Sequence, residues 1–270
     1  MQYLSFVACL FCWFTITQPT FNLSQEDLDE LSQWCQAWRM QLNVQKCFYL
    51  HYVPQNRSRV QFPQYHINNT MLERREKASD LGVIVQDNLK FHEQVAKACQ
   101  KASTQINVIK RNFLSRNPKF LETMYKTFIR PHIEYCIQVW NPVYVGDIEK
   151  LEKVQKRFTK LLPQSWTMSQ EERNQMLNIT SHESRRLRGD LIYIYKMYDS
   201  DLFSHCSESR TRGHSKKLKV NFACNNLRKH SFAVRSVDSW NSLPETVVTA
   251  PSVNSFKARI DKYFNDSLVT

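Results

Sequence analysis

Residues 91–111 read FHEQVAKACQKASTQINVIKR. The apolar positions Val95, Ala98, Cys99, Ala102, Ile106 and Ile109 recur at steps of three and four, the spacing of a long amphipathic helix. Its other face carries Lys97, Lys101, Lys110 and Arg111. Just upstream the pattern differs. Residues 81–85, LGVIV, are a short apolar run of strand type, and Asp87 and Asn88 supply a turn after it. The chain therefore changes from strand to helix near residue 90, and the fold class expected is α+β, mostly helical.

Working outward, Ser24 and Asp27 have the spacing of an N-cap with an acidic partner. Leu28, Leu31, Trp34 and Trp38 then predict an amphipathic helix over 25–39. Residues 41–53 and 62–72 read as strand regions separated by a turn from Pro54 to Arg59. Together these predict a small antiparallel sheet or hairpin packed on the first helix. Downstream, Pro118 opens a helix running through Leu121, Tyr125 and Ile129, which Pro131 bends or ends. Further helices are expected from Ile148 to Leu161, from Arg185 to Tyr198 and from Val253 to Phe264. Residues 209–235 hold eight cations and no acid, namely Arg210, Arg212, Lys216, Lys217, Lys219, Arg228, Lys229 and Arg235. Such a run is either a solvated loop or a phosphate-contacting segment.

The charge agrees with a polyanionic partner. Lysine plus arginine number 37 against 25 acids, a net +12. With four glycines in 270 residues there is no Gly-rich phosphate loop, which argues against nucleotide binding by that route. The eight cysteines are too sparse for a small disulfide scaffold, and most read as buried small hydrophobes. His205, Cys206, His214, Cys224 and His230 lie close in sequence but lack the paired spacing of a zinc site, so no metal is expected. Phosphoryl-transfer polymerases hold two divalent ions on two or three aspartates. This sequence has no adjacent Asp pair. Residues 4–16 are nearly all apolar, too short to span a membrane yet suited to a signal-peptide core, although no Lys or Arg precedes them.

Several blocks then carry a family resemblance. EDLDELSQW at 26–34, Trp38, LNVQKC at 42–47, DLGVI at 80–84 and YKTFIRPHIEY at 125–135 come first. VWNP at 139–142, LEKVQKR at 151–157, RRLRGDL at 185–191, RTRG at 210–213 and WNSLP at 240–244 follow in order. Over residues 24–264 the chain resembles the C-terminal part of reverse transcriptases from non-LTR (LINE-type, jockey- and CR1-like) retrotransposons. The resemblance implies a leader at 1–23 unrelated to the family and a palm remnant at 24–90. It implies a thumb-like helical region at 91–163 and a basic helical post-thumb region at 164–270. By the same resemblance Lys46 lies near the incoming nucleotide, and Asp80, Leu81, Gly82 and Val83 match the hairpin that grips the primer. The family's catalytic Asp-Asp motif and its fingers have no counterpart, so the resemblance implies a truncated element and a chain that does not polymerise.

The expectation is a sequence-independent grip on RNA or an RNA–DNA hybrid, with no cofactor, no small-molecule substrate and no membrane partner. Its phosphate contacts would be Lys97, Lys101, Lys110, Arg111, Arg210, Arg212, Lys216, Lys217, Lys219, Arg228 and Lys229. An intracellular location is expected, nuclear or cytoplasmic. The alternative is a non-catalytic interaction protein or an unselected relic, secreted if residues 1–17 act as a signal peptide.

Overall fold

The computed structural model describes residues 4–5, 13–14, 21–51, 63–206, 213–220, 222–223 and 226–267. The chain divides into two compact units, Met1–Gln94 and Val95–Thr270. Most of the expected leader, and Arg210, Arg212 and Cys224, lie outside the described residues.

In the first unit the two-residue strands β1 (Leu4–Ser5) and β2 (Trp13–Phe14) pair antiparallel. Helix α1 spans Phe21–Ala37. It starts before the expected boundary, so Ser24 lies inside it rather than capping it. Its buried side is Leu28, Ser32 and Cys35, spaced four and three apart, with the Ser32 hydroxyl donating to the Leu28 carbonyl at 2.8 Å. Trp34 and Trp38 were expected on that side. They are instead 51% and 68% exposed, with their rings 6.2 Å apart. A stripe through Leu28, Ser32 and Cys35 leaves position 34 on the outer surface of the helix, and Trp38 follows the helix's last residue.

The expected sheet is several separate two-stranded ladders. Strand β3 (Phe48–Tyr49) pairs parallel, not antiparallel, with β6 (Glu73–Arg74). Strands β4 (His66–Ile67) and β5 (Thr70–Met71) form a hairpin. Its turn residues Asn68 and Asn69 both have positive φ, the pattern of a type I′ turn, which asparagine tolerates. The free edge of β4 is met by a side chain. The Gln25 carboxamide donates to the His66 carbonyl at 2.9 Å and accepts from the His66 N–H at 3.0 Å. Leu28, Cys47, Tyr49, Tyr65, Ile67 and Leu72 form the small core beneath. Strands β7 (Lys77–Asp80) and β8 (Val83–Gln86) make a second hairpin. The Ile84 N–H donates to the buried Gln94 side chain at 2.9 Å, and Lys77 pairs with Glu93.

The second unit is helical. Helix α2 spans His92–Asn112 and buries Val95, Ala98, Ala102, Ile106 and Ile109, as its spacing predicts. Asn117 caps α3 (Pro118–Met124) by accepting from the Lys119 N–H. Pro131 does not end the helical run. A π-turn at Tyr125–Ile129 precedes α4 (Arg130–Glu134) and absorbs the proline, which has no N–H and whose ring needs room on the preceding turn. Helices α5 (Ile137–Trp140), α6 (Val145–Thr159), α7 (Gln170–Met176) and α8 (His182–Met197) follow. The short α9 (Asn226–Lys229), α10 (Phe232–Arg235), α11 (Val237–Asn241) and α12 (Glu245–Val248) lead to α13 (Val253–Ser267).

The core of this C-terminal region is apolar and deep, with Leu191, Ile194, Trp240, Val248, Phe256 and Ile260 almost fully enclosed. Two ion pairs stitch distant segments. Arg185 grips Glu134 through two bonds of 3.0 and 2.8 Å. Arg235 bonds both oxygens of Asp190 and the Gln138 carbonyl. Among the described residues no helix is long and apolar enough to cross a membrane. Of the five described cysteines all are free, and two are buried, fewer than the composition suggested.

Candidate nucleic-acid interface

Helix α2 presents its cations unevenly. At roughly 100° per residue, Lys97, Lys101 and Arg111 fall within about 80° of one another, on the side away from the buried alanines and isoleucines. Lys110 is exposed but sits near the edge of the buried face, so it does not join that stripe. Arg116 donates to the carbonyls of Lys110, Phe113 and Ser115, satisfying acceptors that the end of α2 leaves open.

A second cationic face, which the sequence reading did not single out, lies on α6. Lys150, Lys153, Lys156 and Arg157, with Lys160 at its C-cap, occupy an arc of about 120° opposite Leu151, Val154 and Phe158. Asp147 pairs with Lys150 and holds its ammonium pKa above the usual value, and Glu149 pairs with Lys153. Lys156, Arg157 and Lys160 are exposed and make no ion pair among the described residues. The Arg157 guanidinium donates to the Asn107 side chain of α2 at 2.7 Å. Asn107 lies one turn before Arg111 on the same side of α2, so this bond joins the two faces into one band. The available signal was the ordinary helical periodicity of 150–160 applied to the charged residues rather than the apolar ones.

The basic segment after residue 209 divides differently. Lys216 is half-buried, with its ammonium 5.4 Å from the Tyr198 ring centre and 6.0 Å from that of Tyr195. Its carbonyl accepts from the Trp240 indole at 2.8 Å. His214, fully enclosed, contacts the Trp240 carbonyl at 3.0 Å, and Glu245 takes both the Ser215 N–H and hydroxyl. This loop is docked on the core, and Lys216 is part of that docking. Arg235 is likewise committed to Asp190. Lys219 and Lys229 are exposed, and Lys217 and Arg228 are half-buried.

In the first unit, Lys46 is exposed at the end of a 3₁₀ turn, Val44–Lys46. Asp80, Leu81, Gly82 and Val83 form the tip of the β7–β8 hairpin, with Asp80 opposite Val83. Leu81 has φ 44° and Gly82 φ 84°, so a leucine occupies a left-handed position usually given to Asn or Gly. Its side chain is 67% exposed. Among the described residues no three His, Cys, Asp or Glu side chains lie close enough together to hold a metal ion.

No family model and no solved structure matches the chain. It is similar to the RNA-directed DNA polymerase from mobile element jockey of Drosophila melanogaster, 23% identical over 150 residues. That match covers 53% of this chain and 16% of the Drosophila protein, so the chain spans a small part of its relative's length. The similarity supports a distant, reverse-transcriptase-like origin.

Proposed function

We propose that this chain binds the phosphate backbone of RNA or an RNA–DNA hybrid, without reading bases, on the band formed by α2 and α6. The observation that carries the reading is the Arg157–Asn107 bond, which merges two helix faces lined by Lys101, Arg111, Lys156 and Lys160. Cations on one side of rigid helices meet phosphates at fixed spacing, and such contacts position the ligand but carry no sequence information. The similar Drosophila protein is an RNA-directed DNA polymerase, which supports a nucleic-acid partner.

On this reading residues 91–163 serve as a thumb-like grip. The activity proposed is binding rather than polymerisation, because the sequence holds no adjacent aspartates on which two metals could sit.

The test is fluorescence anisotropy with an RNA–DNA hybrid across a salt series. Affinity should fall steeply with salt. Replacing Lys101 and Lys156 by Glu should weaken binding at least tenfold and flatten the log–log salt slope by about 2, one unit per lost phosphate contact. Lys219→Glu should change it less. Unchanged affinity in the double variant, with helix content preserved by circular dichroism, would overturn the assignment.

A further inference from the structure

A pocket of about 130 Å³ opens on the second unit, lined by Tyr125, Lys126, Arg130, Glu134, Thr180 and Arg185 among others. It shares no residue with the α2–α6 band. It brings together two sequence blocks, 125–135 and 185–191, that lie far apart along the chain.

Its charges do not balance. Glu134 takes two bonds from Arg185, and the nearest approach of Arg130 to the same carboxylate is 4.0 Å, beyond hydrogen-bond reach. Two guanidiniums therefore share one carboxylate, and that of Arg130 has no hydrogen-bond acceptor among the described residues. Lys126 and Lys119 share Glu122, which Lys126 touches at 2.5 Å and the Asn178 amide at 3.0 Å. Among the lining residues three cations, Lys126, Arg130 and Arg185, thus face one carboxylate, Glu134, a net charge of +2 around one small cavity, while Glu122 holds Lys126 from outside it. Burial first, and then the neighbouring Arg185, push the Arg130 pKa below its ordinary value. A half-buried guanidinium beside another, with donors to spare, is relieved by an incoming oxyanion.

The shape also fits. The wide π-turn places Tyr125, Lys126 and Arg130 along one wall, with the Tyr125 hydroxyl held by Gln155 at 3.2 Å. Asn178, Ile179 and Thr180 before α8 and Arg185 within it line the rest of the pocket. We propose that this pocket is a binding site for a phosphate dianion, free or at the end of a nucleic-acid strand, with Arg130 as its principal unspent donor.

The full-length chain is tested by thermal unfolding in increasing inorganic phosphate, against sodium chloride at matched ionic strength. Phosphate should raise the melting temperature by several degrees where chloride does not, as ligand binding to the folded state requires. Arg130→Met should abolish the shift. The Lys101→Glu, Lys156→Glu double variant should retain it, which separates failure of this site from failure of the backbone-binding band. If Arg130→Met does not fold, ³¹P line broadening of phosphate by the parent and its loss in Lys126→Met serve instead. No phosphate-specific shift in the parent, or an equal shift in Arg130→Met, would overturn the proposal. Displacement of phosphate by a 5′-phosphorylated oligonucleotide but not its 5′-hydroxyl twin would identify the ligand as a strand end. Displacement by neither would identify it as the free anion.

Discussion

The two units solve the problem of staying folded by different means. The first buries a handful of side chains around Tyr65 and Ile67, and its strands are mostly two residues long. It relies on single polar devices, among them the Gln25 amide on the edge of β4 and the Gln94 side chain on β8. The second encloses Trp140, Trp240, Phe158 and Phe256 and ties its helices with long-range ion pairs. Small cores bury a smaller fraction of their surface, so each hydrogen bond and turn in the first unit carries a larger share of the margin. The cationic band and the phosphate pocket therefore stand on the better-packed half of the chain.

The second unit's advantage depends most on Trp240, and Trp240→Ala should cost it most. It removes a fully enclosed indole, its bond to the Lys216 carbonyl and its ring contacts with Tyr198 and Phe256. A loss of about 3–5 kcal/mol is expected, read as a lower urea midpoint by circular dichroism at 222 nm. A loss below 1 kcal/mol would mean that the second unit is not held by this core.

Acid should test both units through one histidine each. Burial, then Arg186, lowers the His182 pKa to about 4, and burial, then Arg74, does the same for His51. The ring Nε2 of His182 is buried without a partner. Both rings stay neutral in the folded chain, whereas the unfolded chain takes up protons near pH 6.5. Stability is therefore full above pH 6.5, falls as pH drops toward 4, and loses nothing more from these groups below that. From His182 alone the loss between pH 6.5 and 5 is about 2 kcal/mol. That window lies above the range where Glu122, held down to about 2 first by its Lys126 bond, surrenders its own contribution. Urea midpoints at the two pH values measure the loss, and His182→Gln should remove its share, about half of what the two histidines contribute.

The smallest effect sharpens the contrast from the other side. Leu81→Asn places a residue that accepts left-handed backbone at the β7–β8 tip, and should stabilise the hairpin by about 0.5 kcal/mol. Amide hydrogen exchange of β7 and β8 should slow. Faster exchange would show that the exposed leucine itself supports the hairpin.

How much of this was legible follows from where the information sits. Helices α2, α6, α8 and α13 were readable because a 3.6-residue apolar period is local to each of them. The first unit was not, since its ladders depend on contacts such as Gln25 with His66, 41 residues apart. The Trp34–Trp38 pair misdirected the reading because size alone marks a tryptophan as core, while Ser32 and Cys35 do the burying. Arg235 was grouped with the basic run because its partner Asp190 is 45 residues distant. Helix α7 was missed although its capping box, Ser169 with Glu172, stands in the sequence. The cationic face of α6 stands in the sequence as well, in the same helical period applied to its charged residues.

Helix α8 has a consequence for how the chain is made. Its Leu191 and Ile194 are sealed in a cluster with Phe256 and Ile260, its Tyr195 hydroxyl donates to the Ala250 carbonyl, and Arg188 holds Asp261. Every one of those partners is translated about 55 to 75 residues after α8 itself. At roughly 5–20 residues per second, the apolar side of α8 waits on the ribosome for about 3 to 15 seconds before its cover exists. A ribosome that stalls or terminates within that interval releases a chain with the apolar side of α8 uncovered.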